Sequence, residues 1–257
     1  MPELPEVETA CRQLRTALKG KRILFTRVLD EKIGRVEDAA GRRVLDVERQ
    51  GKWLRFLLEG GQALECHLRM TGRFLRHTEG GRPPHARFLF SFAGEDIFLV
   101  DPRRFATVAL VDAKSRRPGH DALQELNAGR LRKAAASRKT AVKMFLLDQS
   151  VLAGMGNIYA CEALHRSGID PRKPCGDLSR AEWKNLSRSI RSILKNAINM
   201  RGTSISDWRD LFGMKGEFQH RLRVYGRGGE TCTRCGGEVA RIVVGGRGTY
   251  FCPGCQK

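Results

Sequence analysis

The sequence has few acidic residues, no long apolar run and no leader-like segment. Its 257 residues include 28 acidic side chains against 47 lysines and arginines, so the net charge is +19. This surplus is typical of a protein that binds a polyanion, namely DNA, RNA or an acidic membrane surface; a merely soluble basic surface is the alternative. No apolar run reaches the roughly 18 residues that span a bilayer. The first residues, Met1–Glu6, are acidic and proline-rich, unlike a signal or transit peptide, so we expect an intracellular protein.

The cysteines do not form the pattern of a disulfide framework, which is rare inside cells. Four are scattered, and the other four form two Cys-x-x-Cys pairs separated by sixteen residues near the C-terminus: Cys232 with Cys235, and Cys252 with Cys255. This spacing predicts one tetrahedral zinc held by four thiolates, with free or disulfide-linked cysteines as the alternative. No fifth donor or free histidine accompanies them in the sequence, so we expect a closed, structural site. The residues between the pairs predict a β-hairpin, with strands at Glu238–Val244 and Gly248–Phe251.

The hydrophobic period changes along the chain. Val7, Cys11, Leu14 and Leu18 predict an early helix that stops near Gly20. Seven short runs then predict strands of a sandwich or a barrel; they are Ile23–Leu29, Arg43–Val47, Trp53–Leu58, Ala63–Leu68, Phe88–Phe92, Ile97–Val100 and Thr107–Val111. Later runs predict helices at Ala141–Leu147, at Ile158–Arg166 and after a Ser179/Glu182 capping box. We therefore predict a β domain (1–128), a basic linker (129–139), a helical domain (140–222) and a zinc hairpin (223–257).

The N-terminus itself is a candidate reactive group. Methionine is usually trimmed before a small residue, which would leave Pro2 as a free secondary amine. An α-amino group titrates near pH 8, so a useful fraction is unprotonated and can attack a sugar C1′ to form an iminium. Glu3 and Glu6 lie beside it and can donate or shuttle protons. The alternative is ordinary capping, with proline and acids in the first turn of a helix.

Three loops carry residue types that suit a nucleic acid. Asp101–Phe105 offers arginines for base edges and an aromatic ring that can unstack bases, and the loop His67–Gly72 carries Met70. Core packing is the alternative for Phe105 and Met70. Gly154–Tyr159 runs into a predicted helix, where backbone N–H groups and Asn157 can bind a phosphate, although a short glycine-rich turn is a weak signal.

Together these segments resemble the formamidopyrimidine-DNA glycosylase family, bacterial enzymes that repair oxidised purines. The resemblance runs nearly end to end, through Met1–Thr9, Asp101–Phe105, Gly154–Ala160 and Cys232–Cys255. It implies a multidomain α+β fold: an N-terminal β-sandwich with a flanking helix, a helix-two-turn-helix domain and a zinc β-hairpin. It also implies damaged duplex DNA as the partner of a monomeric, nucleoid-associated protein that has no membrane contact.

The resemblance assigns roles to residues at matching positions. Pro2 is the nucleophile and Glu3 the acid, with Glu6 beside them. Lys52 assists β-elimination, and Arg247 on the zinc hairpin grips a phosphate and assists δ-elimination. The resemblance also assigns DNA contacts: Asn157, His85, Arg104 and Lys143 to the backbone, and Met70, Arg103 and Phe105 to the space that a flipped nucleotide leaves.

The chain departs from the family pattern at one wedge loop, because Arg69 stands where the family commonly has glycine. Leu4, in place of a glycine, and the Gly213–Gly216 loop favour the purine branch of the family. The implied activity is that of a bifunctional glycosylase and abasic-site lyase of base excision repair, acting on 8-oxoguanine and formamidopyrimidines. The alternatives are an endonuclease VIII-type enzyme for oxidised pyrimidines and a non-catalytic DNA-binding homologue.

Overall fold

A computed structural model describes residues 1–34, 36, 39–78 and 81–257. The chain forms two compact units. The first contains Met1–Arg117 and Met200–Gln219, and the second contains Pro118–Asn199 and His220–Lys257.

The first unit consists of one helix and two antiparallel sheets. Helix α1, Leu4–Leu18, buries the predicted apolar stripe and ends beside Gly20. Eight strands follow: β1 (Phe25–Val28), β2 (Val44–Gln50), β3 (Trp53–Leu58), β4 (Gln62–His67), β5 (Arg73–His77), β6 (Ala86–Phe92), β7 (Glu95–Val100) and β8 (Thr107–Asp112). One sheet has the order β1-β6-β7-β5 and the other β2-β3-β4-β8. A 3-10 turn, Glu31–Ile33, lies between β1 and β2.

The two sheets share one aromatic core. Phe56 of β3 lies 5.5 Å from Phe74 of β5 and 4.9 Å from Phe90 of β6, measured between ring centroids. Side chains from both sheets thus interdigitate, which is the packing of a β-sandwich. The predicted sandwich is confirmed, and the predicted strands all exist. Of the strands described in these two sheets, the sequence does not predict β5, because basic residues flank Phe74 on this edge strand and mask its alternation.

Residues 200–219 lie in the first unit, although the sequence prediction placed them in the helical domain 140–222. Trp208 and Leu211 are buried in the core of the sandwich unit. The backbone N–H of Arg76 donates to the Leu211 carbonyl over 2.9 Å. Apolar burial against a distant part of the chain, which no local pattern encodes, therefore decides where this segment packs.

The second unit is mainly helical. Its helices are α2 (Ala128–Ala135), α3 (Val142–Leu147), α4 (Asn157–Ser167) and α5 (Arg180–Asn199), with a 3-10 turn at Cys175–Asp177. Another 3-10 turn, Phe218–Arg221, begins in the first unit and ends in the second. The predicted capping box at α5 is present, since Glu182 accepts the Ser179 N–H and Ser179 accepts the Glu182 N–H. Short strands β9 (His120–Asp121) and β10 (Leu152–Ala153) pair in parallel, and β11 (Ala240–Val244) and β12 (Arg247–Phe251) form the predicted hairpin.

Helix α2 corrects the predicted linker at 129–139. Leu131 and Ala135 lie one turn apart and are both buried, while the Asn127 side chain caps the helix by accepting the Arg130 N–H. The basic residues between them obscured this short apolar face. Among the described residues, no helix is long and apolar enough to cross a membrane.

Candidate functional site

The N-terminus is held by a reciprocal cap on α1. Pro2 and Glu3 are buried, and the Glu3 N–H donates to Glu6 Oε2 over 2.8 Å while the Glu3 side chain accepts from the Glu6 backbone. The second oxygen, Glu6 Oε1, accepts the Thr203 N–H over 2.7 Å. Two segments far apart in sequence are thus fixed to one carboxylate, which orders the backbone around Pro2.

Lys52 lies in the two-residue turn between β2 and β3 and is mostly buried. Arg49 fastens this turn to α1, because its Nη1 donates to the Gly51 carbonyl over 3.1 Å and its Nε donates to Glu8 Oε2 over 2.7 Å. Burial raises the pKa of Glu8, but the charges and hydrogen bonds of Arg49 and Arg12 bring it below its ordinary value. The lysine is therefore positioned by an ion pair that joins its hairpin to the N-terminal helix.

The predicted wedge residues lie on two surface loops. Met70 is 39% exposed and Phe105 is 43% exposed, so neither fills the core. The Arg103 guanidinium lies 4.9 Å from the centroid of the Phe105 ring. The loop that carries Met70 turns tightly at Gly72, where a Cβ atom would lie 2.4 Å from the Leu68 carbonyl oxygen. Exposed apolar side chains on short, closed turns are suited to insertion between bases.

Arg69 adopts a left-handed backbone conformation, with φ at +55°. Its backbone N–H donates to His67 Nδ1 over 2.9 Å, and its guanidinium lies 6.0 Å from the Trp53 ring centroid. Arg117 lies over the same ring at 4.1 Å. Burial, reinforced by the charges of Arg69, Lys52 and Arg117, lowers the pKa of His67 to about 3, so this imidazole is neutral. The family's usual glycine suits this backbone, because glycine adopts positive φ without steric cost.

Arg69→Gly and Arg69→Ala separate the backbone strain from the side-chain contact. Both variants lose the guanidinium, but alanine keeps the Cβ atom that a left-handed backbone disfavours. We expect Arg69→Gly to be more stable than Arg69→Ala by about 0.5–1 kcal/mol, once the greater chain entropy of glycine is included. Urea denaturation midpoints measure this difference. Equal midpoints for the two variants would show that the turn relaxes out of the left-handed region.

His85 and Arg104 line one cavity of about 270 Å³, together with Arg82, Arg87 and Asp30. Arg104 binds Asp30 in a bidentate pair, with Nε–Oδ2 and Nη2–Oδ1 distances of 2.8 and 2.6 Å. The hydrogen bonds from Arg104 hold the pKa of Asp30 well below its usual range. A second carboxylate, Asp101, also lines the cavity, so three guanidinium groups and an imidazole face two acids at a site that an anionic oxygen can enter.

In the second unit, Arg247 opens strand β12 directly after a two-residue turn. Gly245 and Gly246 both have positive φ, at +56° and +72°, as the hairpin turns that fit twisted strands require. A Cβ atom on Gly245 would also collide with Met144 of α3, 2.2 Å away. Arg247 itself is exposed. The hairpin tip is therefore seated on α3 with its arginine presented to solvent.

Lys143 and Asn157 fix the same hairpin from two helices. Lys143 is fully buried, and its Nζ donates to Thr249 Oγ1 over 2.6 Å; Asn157 Nδ2 donates to the Gly248 carbonyl over 2.9 Å. The two side chains thus hold the strand immediately after Arg247. Their direct contacts to DNA stay predictions. In the structure, both side chains support the hairpin through hydrogen bonds to strand β12.

The four predicted zinc ligands form one cluster, in which the Sγ atoms of Cys232, Cys235, Cys252 and Cys255 all lie within 4.8 Å of one another. Two of the distances are 3.8 and 3.4 Å. Zinc–sulfur bonds of about 2.3 Å in a tetrahedron place the sulfurs about 3.8 Å apart, so the cluster fits one zinc ion. A histidine that the sequence analysis does not associate with the cysteines also lies beside them: Nε2 of His165, on α4, is 3.6 Å from Cys232 Sγ.

The sequence analysis does not identify two side chains that position the site. Arg49 pairs with Glu8, 41 positions away, and no local sequence pattern predicts such a pair. Asp101 is fully buried and accepts backbone N–H groups of its own loop, including that of Phe105. An Asp-Pro pair at the start of a loop is a turn signal, and the short polar side chain of aspartate commonly bonds to the backbone that follows. The Asp101-Pro102 pair could therefore have predicted the role of Asp101 in ordering its loop.

Comparisons with known proteins agree along the whole chain. Residues 1–108 match the formamidopyrimidine-DNA glycosylase N-terminal domain, residues 119–208 match its H2TH domain, and residues 229–257 match the zinc finger found in FPG and IleRS. The formamidopyrimidine-DNA glycosylase of Heliobacterium modesticaldum is 42% identical over 278 residues and covers both chains completely. That of Thermus thermophilus is 41% identical, over all of this chain and 98% of its own.

Solved structures show the same similarity. Lactococcus lactis Fpg, in complex with DNA that contains an abasic site, superposes with a TM-score of 0.91 at 33% identity and covers 99% of each chain. The MutM (FPG) protein of Thermus thermophilus superposes with a TM-score of 0.90 at 39% identity, over 99% of this chain and 98% of its own.

Proposed function

Because the chain belongs to the formamidopyrimidine-DNA glycosylase family, we propose that it removes oxidised purines from duplex DNA and then cuts the strand. The family identifies a DNA-repair glycosylase with a zinc finger. The finer proposal is that 8-oxoguanine and formamidopyrimidines are the substrates, that Pro2 forms the covalent intermediate, and that lyase activity follows excision.

The reaction begins at the N-terminus. The amine of Pro2, released by removal of Met1, bonds to C1′ of the damaged nucleotide while the glycosidic bond breaks, and the base leaves with the proton that the amine gives up. Glu3 gives a proton to the sugar ring oxygen, the ring opens, and the nitrogen–carbon bond becomes an iminium. Loss of a C2′ proton then expels the 3′ phosphate, and a second elimination expels the 5′ phosphate. Lys52 assists the first elimination and Arg247 the second.

The observation that carries this proposal is the locked N-terminus. A nucleophile gains rate when its attacking atom is held in place before the substrate arrives. Glu6 supplies that hold through both oxygens, one on the Glu3 N–H and one on the Thr203 N–H. An ordinary helix cap needs only the first of these bonds, so the second favours a precisely placed Pro2 over simple capping.

Duplex DNA is the proposed partner, in keeping with the net charge of +19. His85 and Arg104 would bind a phosphate in the cavity where Asp30 now holds Arg104, so the phosphate replaces a carboxylate as the anion. Arg247, on the supported hairpin tip, would bind another phosphate. The relative from Lactococcus lactis has been solved with abasic-site DNA and with DNA that contains an oxidised pyrimidine.

A panel of duplexes tests the substrate proposal. Each duplex carries one lesion: 8-oxoguanine, a formamidopyrimidine, thymine glycol or an abasic site. We expect excision from the two purine lesions, strand cleavage at the abasic site, and covalent trapping by borohydride on all three. Faster excision of thymine glycol than of either purine lesion would favour the endonuclease VIII-type alternative. An intact mass that retains Met1, together with no trapping, would favour a non-catalytic DNA-binding protein.

Phe105→Ala tests the wedge within this proposal. Flipping a nucleotide costs a few kcal/mol in lost stacking and pairing, and the vacated space must be filled. We expect the variant to excise 8-oxoguanine from a duplex about tenfold more slowly, a loss of ~1.4 kcal/mol in the transition state. Cleavage of a preformed abasic site should hardly change, because no base remains to be extracted. Equal losses in the two single-turnover assays would show that Phe105 serves the chemistry or the fold.

A further inference from the structure

One buried carboxylate connects the two wedge loops. Asp101 follows β7 directly and is completely buried. Its Oδ1 accepts the hydroxyl of Thr71, from the other loop, and the N–H of Arg103 over 3.2 Å. Its Oδ2 accepts the N–H groups of Phe105 and Ala106 over 2.6 and 2.7 Å. A single side chain therefore carries hydrogen bonds from both loops.

Thr71 links the two loops through two hydrogen bonds, one from its hydroxyl to Asp101 and one to its hydroxyl from the Arg103 N–H. The Arg103 N–H lies between Asp101 Oδ1 and Thr71 Oγ1, 3.2 and 3.3 Å away, so both loops share this donor as well. The buried Arg87 guanidinium, 3.6 Å from Asp101, balances the negative charge of the carboxylate. Hydrogen bonds to an ionised, buried acceptor are stronger than neutral ones and rigidify the groups that share it.

The three wedge residues either take part in this bridge or lie directly next to it. Met70 precedes Thr71, and Arg103 and Phe105 themselves donate their backbone N–H groups to Asp101. A movement of one loop must therefore stretch bonds that hold the other. Two unconnected loops would each have to be ordered separately at the moment of nucleotide flipping, and each would cost conformational entropy.

We propose that Asp101 and Thr71 are positioning residues that couple the two loops, so that Met70, Arg103 and Phe105 enter the duplex as one unit. The proposal rests on the proposed space-filling function of these three side chains. Its distinct content is that the Met70 loop and the Phe105 loop do not act independently, and that the hydroxyl of Thr71 is what joins them.

Thr71→Val removes this hydroxyl with little change of shape, and Thr71→Ser restores it. Thr26→Val is the matched control, because the Thr26 hydroxyl accepts the Ala39 N–H over 3.2 Å on strand β1, away from the two loops in sequence. Hydrogen exchange of the free, full-length protein gives the first readout. We expect faster amide exchange across residues 101–106 in Thr71→Val, although the substitution lies in the other loop, and no change there in Thr71→Ser or Thr26→Val.

A double-mutant cycle in single-turnover excision of 8-oxoguanine gives the second readout. In the wild-type background, the combined Met70→Ala and Phe105→Ala variant should lose at least about threefold less rate than the product of the two single losses, because coupled side chains act as one. In the Thr71→Val background the losses should multiply. The Thr71→Ser and Thr26→Val backgrounds should keep the wild-type behaviour.

The outcomes separate this proposal from the function on which it rests. Unchanged exchange across 101–106 in Thr71→Val would overturn the coupling, whatever the excision assays show. Losses that already multiply in the wild-type background would overturn it as well. If exchange responds as expected but neither Met70→Ala nor Phe105→Ala slows excision, the space-filling function fails, and concerted entry into the duplex fails with it.

Discussion

Replacing Pro2 with leucine should abolish covalent capture of lesion DNA and lower base excision about a thousandfold or more, since removal of a covalent nucleophile has effects of that order. Pro2→Leu is the strongest variant, because a bulky second residue keeps Met1 and displaces the terminal amine by one residue. Pro2→Gly still permits removal of Met1 and leaves a primary amine near the original position, so a trace of borohydride trapping should remain. Single-turnover excision and peptide mapping of the trapped adduct measure both effects.

Lys52→Ala is the matched control for the nucleophile assignment, since Lys52 is the other amine that the resemblance places in the catalytic machinery. In this variant the borohydride adduct should still map to Pro2, while strand cleavage after excision slows. Thermal unfolding shows whether the Pro2 variants remain folded; they should, because α1 begins at Leu4 and its cap is built from Glu3 and Glu6. An adduct that maps to Lys52 in the wild-type protein would overturn the assignment.

The sequence predicts the helices and strands of this protein better than the tertiary contacts between distant segments. Period-two runs are local, so the sandwich strands and α1 follow from them. Strand β5 does not, because Phe74 is its one buried residue at a basic sheet edge. The position of residues 200–219 depends on Trp208 and Leu211 packing into a core formed by residues between Val7 and Val108, too distant in sequence for any local pattern to contain both.

The same distinction applies to the candidate site. The zinc cysteines belong to two short Cys-x-x-Cys motifs whose chemistry can be predicted from the sequence alone, whereas the nucleophile role of Pro2 rests on the family resemblance and stays a prediction. The supporting bonds join partners far apart in sequence: Arg49 to Glu8, and Thr71 to Asp101. Lys143 shows the limit most clearly. The family resemblance implies a DNA-backbone contact for this residue, yet its ammonium is buried against Thr249, and only the folded structure reveals this support for the hairpin.

Removing the zinc should weaken DNA binding while the first unit stays folded. The hairpin β11–β12 is a two-stranded ribbon, and such ribbons are at best marginally stable in water without further support. Besides the ligands, the small cluster around the cysteines buries Val224, Val239 and Cys161, with Tyr225 and Tyr250 partly buried against them. Zinc binding to four thiolates contributes folding free energy of roughly 10–16 kcal/mol in small zinc modules, which is far more than this cluster can replace.

Cys235→Ser is the preferred variant, because Cys235 is an exposed ligand whose substitution disturbs little packing. We expect less than one zinc per chain and affinity for duplex DNA about a hundredfold lower or more, since the hairpin that presents Arg247 loses its order. Cys161→Ala is the control: it removes a buried sulfur from the same cluster but leaves the four ligands intact, so zinc content and DNA affinity should persist.

Amide hydrogen exchange across the strands of the first unit should stay native in Cys235→Ser and report that the sandwich remains folded. A metal-to-protein ratio near zero in wild-type protein purified without chelator would defeat the zinc assignment. Full DNA affinity in the metal-depleted variant would instead show that the hairpin keeps its shape through the contacts of Lys143 and Asn157 alone, and that zinc is dispensable for presenting Arg247.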